Sequence, residues 1–239
     1  MSEWWTYTLS DFLLFSPRTY YRLIELHHRD LWPLQPALAC AGLALLALAA
    51  RGGPRAGRAA SALAAAAWLW VAWSWLATRY ATINWAADGL AVAFAVEGLL
   101  LFAMGTATSR LAFTGTRGVR RTLGIAVAAV ALLLLPVAGI ALGRPTLAAE
   151  AFAITPAPTA LATLGLLLLA ERTRWELTVI PAAACALDGA TLLAMDAPDA
   201  WIVPALALAA VLALAIAPPG RTPANGGTRR RPRAARRRA

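Results

Sequence analysis

Lysine is absent from the chain, and all 22 of its basic residues are arginine. Charge of any kind is scarce: charged residues make up 14% of the 239, against about a quarter in ordinary soluble domains. Histidine and cysteine occur twice each. Cys40 and Cys185 lie far apart inside apolar runs, without metal-ligand or redox spacing, so no disulfide framework is implied. Both are expected as small buried side chains. No Ser-His-Asp or zincin spacing exists. Gly115-Thr116-Arg117-Gly118 lacks the lysine and the strand context of a phosphate-binding loop. His27 and His28 are adjacent, so on a helix they point about 100° apart and do not chelate one metal together. A haem held between spans would want histidines within the apolar runs, and there are none. The sequence therefore names no catalytic residue, no metal site and no cofactor.

What is abundant is apolar. Hydrophobic residues make up 60% of the chain, and the mean hydropathy is +0.61. That composition excludes a disordered chain and argues against a soluble globular one. A membrane-spanning helix needs about 20 mostly apolar residues. Candidates run over 33–50, 59–78, 87–106, 122–142, a short 158–170, 175–195 and 200–217. Pro136, Pro181 and Pro204 fall inside such runs, where neighbouring helices can satisfy the freed carbonyls. The expected fold is all-α: a polytopic integral membrane bundle of about seven transmembrane helices, preceded by a short amphipathic surface helix.

The arginines sort with these spans. Seventeen lie in the first, third and fifth connections and the C-terminal tail; five lie in the N-terminal segment and the other connections. Positive residues stay cytoplasmic, which predicts an N-terminus outside, a C-terminus inside, and a bacterial inner membrane as the location. The start, Met1-Ser2-Glu3-Trp4-Trp5, is acidic and is not expected to be a cleavable signal. Trp68, Trp70, Trp73 and Trp75, with Trp32, Trp85 and Trp201, are expected as an interfacial aromatic belt at the outer side.

Three regions follow. Residues 1–32 form an extracytoplasmic segment, 33–217 the bundle, and 218–239 a disordered cytoplasmic tail. In the first, Ser16-Pro17 reads as an N-cap followed by proline at the first helical position. Tyr20, Leu23, Leu26 with His27, and Leu31 suggest the apolar stripe of the surface helix, with residues 12–15 dipping into the interface. Residues 146–154 are expected as a short interfacial or re-entrant helix. The tail's Arg229, Arg230, Arg231, Arg233, Arg236, Arg237 and Arg238 would suggest nucleic acid in a soluble protein. After a span they are expected to sit at anionic lipid headgroups. The expected partners are the bilayer and other membrane proteins or a second copy of the chain, with no nucleic acid.

Several strings then fall into an order. Ser16-Pro17-Arg18-Thr19-Tyr20-Tyr21-Arg22 runs into Glu25-Leu26-His27-His28 and Leu31-Trp32-Pro33. Ile83-Asn84-Trp85-Ala86-Ala87 follows the Trp-rich run, and Thr155-Pro156-Ala157-Pro158-Thr159 precedes Leu164-Gly165-Leu166-Leu167-Leu168. Together they resemble a bacterial membrane-protein family known as domain of unknown function six-zero-six-four, over about residues 10–217. The resemblance implies an architecture and no chemistry. The family usually has Tyr-Asn at His27-His28, Cys at Ala157, His at Leu76 and Gln at Glu97. An activity using that Cys or His would be lost or altered here.

The candidate site residues gather at the outer face: Tyr21, His27, His28, Arg79, Tyr80, Asn84, Thr155 and Thr159 suggest an outward vestibule. Arg79 could pair with Asp88, a substrate anion or lipid phosphate, and Asn84 could cap the third span. Glu97 lies roughly 13 Å deep and Asp188 roughly 10 Å deep, at about 1.5 Å per residue. Charges there are costly and mark either a proton or cation site or a protonated acid bonded to another helix. The Gln implied at Glu97 favours the second reading there. The functional expectation is small-solute or ion transport, or its regulation. The alternatives are a structural or assembly subunit of a larger complex and, third, a membrane-embedded enzyme.

Overall fold

The computed structural model describes residues 15–113 and 118–216. Among them the structure is all-helical. A first helix, α1 (Pro17–Asp30), begins as its sequence requires: the Ser16 side chain accepts from the Thr19 backbone N–H, and Pro17 opens the helix. The apolar runs then form α2 (Gln35–Arg51), α3 (Pro54–Val71), α4 (Ala87–Leu101), α5 (Val119–Ala129), α6 (Leu135–Ala141), α7 (Pro156–Leu169), α8 (Val179–Ala194) and α9 (Ile202–Ile216). Five helical stretches are long and apolar enough to cross a membrane: Leu34–Arg51, Pro54–Thr82, Ala87–Ala107, Val119–Ala141 and Trp175–Ala194. The remaining two, α7 and α9, have 14 and 15 residues.

Wide helical turns extend α3 over Ala72–Ala77 and α4 over Phe102–Ala107, and join α5 to α6 over Val130–Leu134. The last precedes Pro136, whose missing N–H and bulky ring disrupt the regular ladder. Pro181 and Pro204 lie inside apolar stretches as expected, in the first turns of α8 and α9. There the backbone N–H groups have no helical partner anyway.

Helix α7 is the axis of the bundle. It packs against α2, α3, α5, α8 and α9, and every residue from Ala157 to Leu169 is buried. Small residues let it approach α5 closely: a Cβ on Gly165 would lie 2.6 Å from the Ala128 nitrogen and 2.8 Å from the Gly124 oxygen. At about 1.5 Å per residue α7 is only about 21 Å long, and the chain leading into it is not helical. Residues 146–154, expected as a helix, form one tight turn at Thr146–Ala148 and then irregular backbone. The physical reason is local. Thr155 and Thr159 compete for this segment's amides: Ala151 N–H donates to Thr155 Oγ1 and Ala153 N–H to Thr159 Oγ1. The segment is buried from Ala148 to Thr155, apart from half-buried Ala151.

The connections meet in two groups. At one end α1 lies over the Thr146–Ala148 turn, Arg79 pairs with Asp30, and Arg144 pairs with Asp199. At the other, Arg121 donates to Ala50 O, Thr106 to Arg58 O, and Arg174 to Arg110 O.

Burial corrects three expectations. The covered face of α1 is Tyr20, Ile24, His27 and His28, while Leu26 is 37% exposed. Trp68 and Trp75 are core residues rather than belt residues, with Trp73 exposed and Trp70 half-buried. Two helical turns separate Trp68 from Trp75, so both face inward together. Cys40 is exposed because α2 is a peripheral helix buried only at Gly42, Leu45 and Ala49; Cys185 is buried as expected. Phe15 stacks on Tyr20, whereas residues 12–14 and the arginines of the tail lie outside the described residues.

Candidate functional site

At the α1 end a pocket of about 100 Å³ opens between α1, the end of α3, α4 and α8. Its polar groups are Tyr20, Tyr80, Asn84, Asp188 and Thr191. Three rings form one wall. Trp75 and Tyr80 lie near parallel with centroids 6.1 Å apart, and Tyr20 meets them edge-on at 6.3 and 6.1 Å. The extension of α3 delivers Trp75, the short turn Tyr80–Thr82 delivers Tyr80, and α1 brings Tyr20 over both. Asn84 fixes the corner: its Nδ2 donates to the Tyr80 hydroxyl, and its Oδ1 accepts from Ala86 N–H at the start of α4. This is close to the cap expected of it, made at the residue preceding the helix. Burial raises the Tyr20 hydroxyl well above its ordinary range, with the carboxylates of Glu150 and Asp188 adding to it.

Asp188 comes from the middle of α8. Its Oδ2 is shielded from solvent and has no hydrogen-bond partner. It interacts electrostatically with Glu150, Arg144 and Asp199, a cluster the sequence did not announce. Arg144 donates to Asp199 Oδ1 at 2.6 Å, approaches Glu150 Oε1 at 3.5 Å, and lies 4.9 Å from the centre of the Tyr21 ring. Arg144, Glu150 and Asp199 are all largely buried. Burial holds Glu150 above the ordinary carboxyl range despite the guanidinium beside it. Burial pulls Arg144 down, but Glu150, Tyr21 and Asp199 together raise it above its usual value. One signal could have found this cluster: Arg144 is one of only two arginines in the connections of the sparsely basic side.

The other expected residues divide. Tyr80 and Asn84 line the pocket; Tyr21 faces Arg144 instead. Arg79 pairs with Asp30 of α1, not with Asp88. His28 Nε2 bonds the Ala149 carbonyl at 2.9 Å, anchoring α1 to the irregular segment. His27 packs against Trp75 with ring centroids 5.3 Å apart. Thr155 and Thr159 are buried and serve the backbone ahead of α7 rather than a vestibule. Thr163 continues their row, accepting from the Trp68 indole N–H at 2.8 Å. Glu97 is fully buried with neither carboxyl oxygen hydrogen-bonded, and it does not line the pocket that holds Asp188. The two acidic candidates are thus separate features.

No curated protein and no solved structure matches the chain. A family model does, over residues 18–221, and its description is "Family of unknown function (DUF6064)". The match takes in α1, every apolar helix and all the residues of the pocket, so the chain belongs to the DUF6064 family.

Proposed function

We propose that the chain crosses the bacterial cytoplasmic membrane seven times, N-terminus outside and C-terminus inside. We further propose that it serves small-solute or ion transport, or the regulation of transport, through the pocket at the α1 end. Asp188 carries this reading: a carboxyl group, half-way along an apolar helix, opens onto a pocket rather than onto lipid. Intramembrane ionisable residues are expensive and mark solute or ion pathways. The buried irregular backbone before α7 supports it, since non-helical backbone at membrane depth is tolerated where protein encloses it or where it lines a cavity. Exposed Trp32, Trp73, Trp85 and Trp201, all near the α1 end in the chain's path, suit an interfacial girdle.

The test is flux into proteoliposomes, offering sodium, ammonium, choline, glycine and glucose in turn. At least one should be taken up by the native chain and lost with Asp188→Asn, the variant keeping its elution profile and helicity. Uptake of none, or full uptake by the variant, refutes the reading. A reporter fused after Ala217 should be cytoplasmic and one at the N-terminus outside; the reverse refutes the orientation.

A further inference from the structure

We propose that the pocket binds an organic cation, a methylated or alkylated ammonium head, with the Tyr20–Trp75–Tyr80 wall and the Asp188 carboxylate as its recognition elements. The proposal deepens the transport reading, in that it names the solute class of the same pocket. Four features point to it.

The first is charge. Around Asp188 the structure gathers one guanidinium, Arg144, and two further carboxylates, Glu150 and Asp199. Arg144 gives its short bond to Asp199 and its longer contact to Glu150, and Asp188, which lines the pocket, keeps a shielded Oδ2 with no hydrogen-bond partner. A cation completes that account, and an anion would worsen it. The second is the wall. Aromatic faces attract cations through their quadrupole, and desolvation strengthens the attraction. The molecule already uses this contact nearby, where Arg144 lies over Tyr21 at 4.9 Å.

The third is the rest of the lining, which is apolar: Leu76, Leu90, Phe94, Pro156, Ala184 and Leu187. A bare metal ion needs several oxygen ligands, and among the described residues no three His, Cys, Asp or Glu side chains are placed to hold one. An ammonium clothed in methyl groups asks for the opposite, apolar contact on most sides with one carboxylate. The fourth is size. About 100 Å³ admits a compact head and not a large solute.

The experiment titrates the full chain, in a maltoside detergent, with choline, tetramethylammonium and the uncharged choline isostere 3,3-dimethyl-1-butanol, read by calorimetry. Both cations should bind saturably, and the uncharged isostere at least about tenfold more weakly. Asp188→Asn should weaken choline by at least about tenfold, and Tyr80→Leu by a similar factor, while Tyr80→Phe stays within about twofold because the ring is kept. Each variant is checked for unchanged elution and helicity, and a variant that fails is replaced by Leu187→Trp, which fills the pocket from its exposed rim and should abolish binding. Trimethylammonium heads occur free and on lipid, so lysophosphatidylcholine is titrated in parallel. Tighter binding of the lipid places the natural head on a lipid, and equal or weaker binding places it on a solute. Equal binding of the isostere, no saturable binding of either cation, or choline binding indifferent to Asp188 overturns the proposal. Choline binding without flux would sink the transport reading alone. Asp188-dependent flux of another solute, without choline binding, would sink this inference alone.

Discussion

Acid should undock α1 from the bundle, and His27 should be the main cause. The imidazole is buried against Trp75, and its Nε2 has no hydrogen-bond partner. Burial, with Arg79 and His28 adding to it and Asp30 opposing, lowers its pKa from 6.5 to about 4. Burial lowers His28 as well, partly offset by its bond to Ala149. A base whose pKa is depressed in the docked state supports docking only while it is neutral. Released, the imidazole takes a proton as pH falls through 6.5; docked, it waits until about 4. In that window the undocked state binds more protons, so docking weakens as pH falls and the loss levels off below the lower value. For His27 the full loss is about 3 kcal/mol, from 1.36 kcal/mol per pKa unit. The assay is hydrogen exchange of the α1 amides, expressed as protection, across pH 4 to 7. Tryptophan fluorescence supplies a second readout, because an imidazolium 5.3 Å from Trp75 should quench it. In His27→Phe, protection at pH 7 should match or exceed that of the native chain, since an unsatisfied nitrogen is removed and a ring is kept. Its loss of protection in acid should shrink to the share due to His28. Identical pH profiles for the native chain and the variant would refute the reasoning.

Three further outcomes follow from packing and charge. Arg144→Met leaves Glu150 and Asp199 without their shared cation and should destabilise the fold by about 3–5 kcal/mol. Measured by thermal unfolding in detergent, the loss should be larger at pH 8 than at pH 5, because burial already holds Glu150 above the ordinary carboxyl range and it protonates early. Gly165→Ala pushes a methyl group against the α5 backbone and should cost at least about 1–3 kcal/mol in the same assay. Gly89→Ala, facing open space at the start of α4, should be neutral or slightly stabilising.

The helices were legible because length and apolarity are local properties: each expected span corresponds to a helix, within a few residues at either end. The Ser16-Pro17 start of α1 was legible for the same reason. What failed depended on partners. The stripe of α1 was read through Leu26 with His27, yet Leu26 is exposed, and Tyr20, Ile24 and His27 form the buried face. Trp68 and Trp75 were assigned by composition to an interface, although their spacing puts both on one side of α3 and its extension, facing the core. The partners of Arg144 beyond nearby Glu150 are remote in sequence. Asp199 reaches it from the connection between α8 and α9, and Tyr21 from α1. Of the residues expected at a vestibule, Tyr80 and Asn84 line the pocket, because they follow the Trp-rich run that builds its wall.

The charge of the chain changes meaning once it is placed. A formal +10 suggests an anionic partner. At the opposite end, Arg120 and Arg121 donate to backbone carbonyls, contacts that leave their charge in place, while Arg174 is shared between the Arg110 carbonyl and the Glu176 carboxylate. At the α1 end, Arg22, Arg79 and Arg144 are each tied to a carboxylate. Among the described residues that end holds Arg18, Arg22, Arg29, Arg79 and Arg144 against Glu25, Asp30, Asp88, Glu150, Asp188, Asp196 and Asp199. The acids outnumber the bases there. A cleft lined by one sign of charge, with low-dielectric walls, concentrates the opposite sign. A basic protein thus carries an excess of acids at this end, with Asp188 lining the pocket, which favours the cation proposed for it.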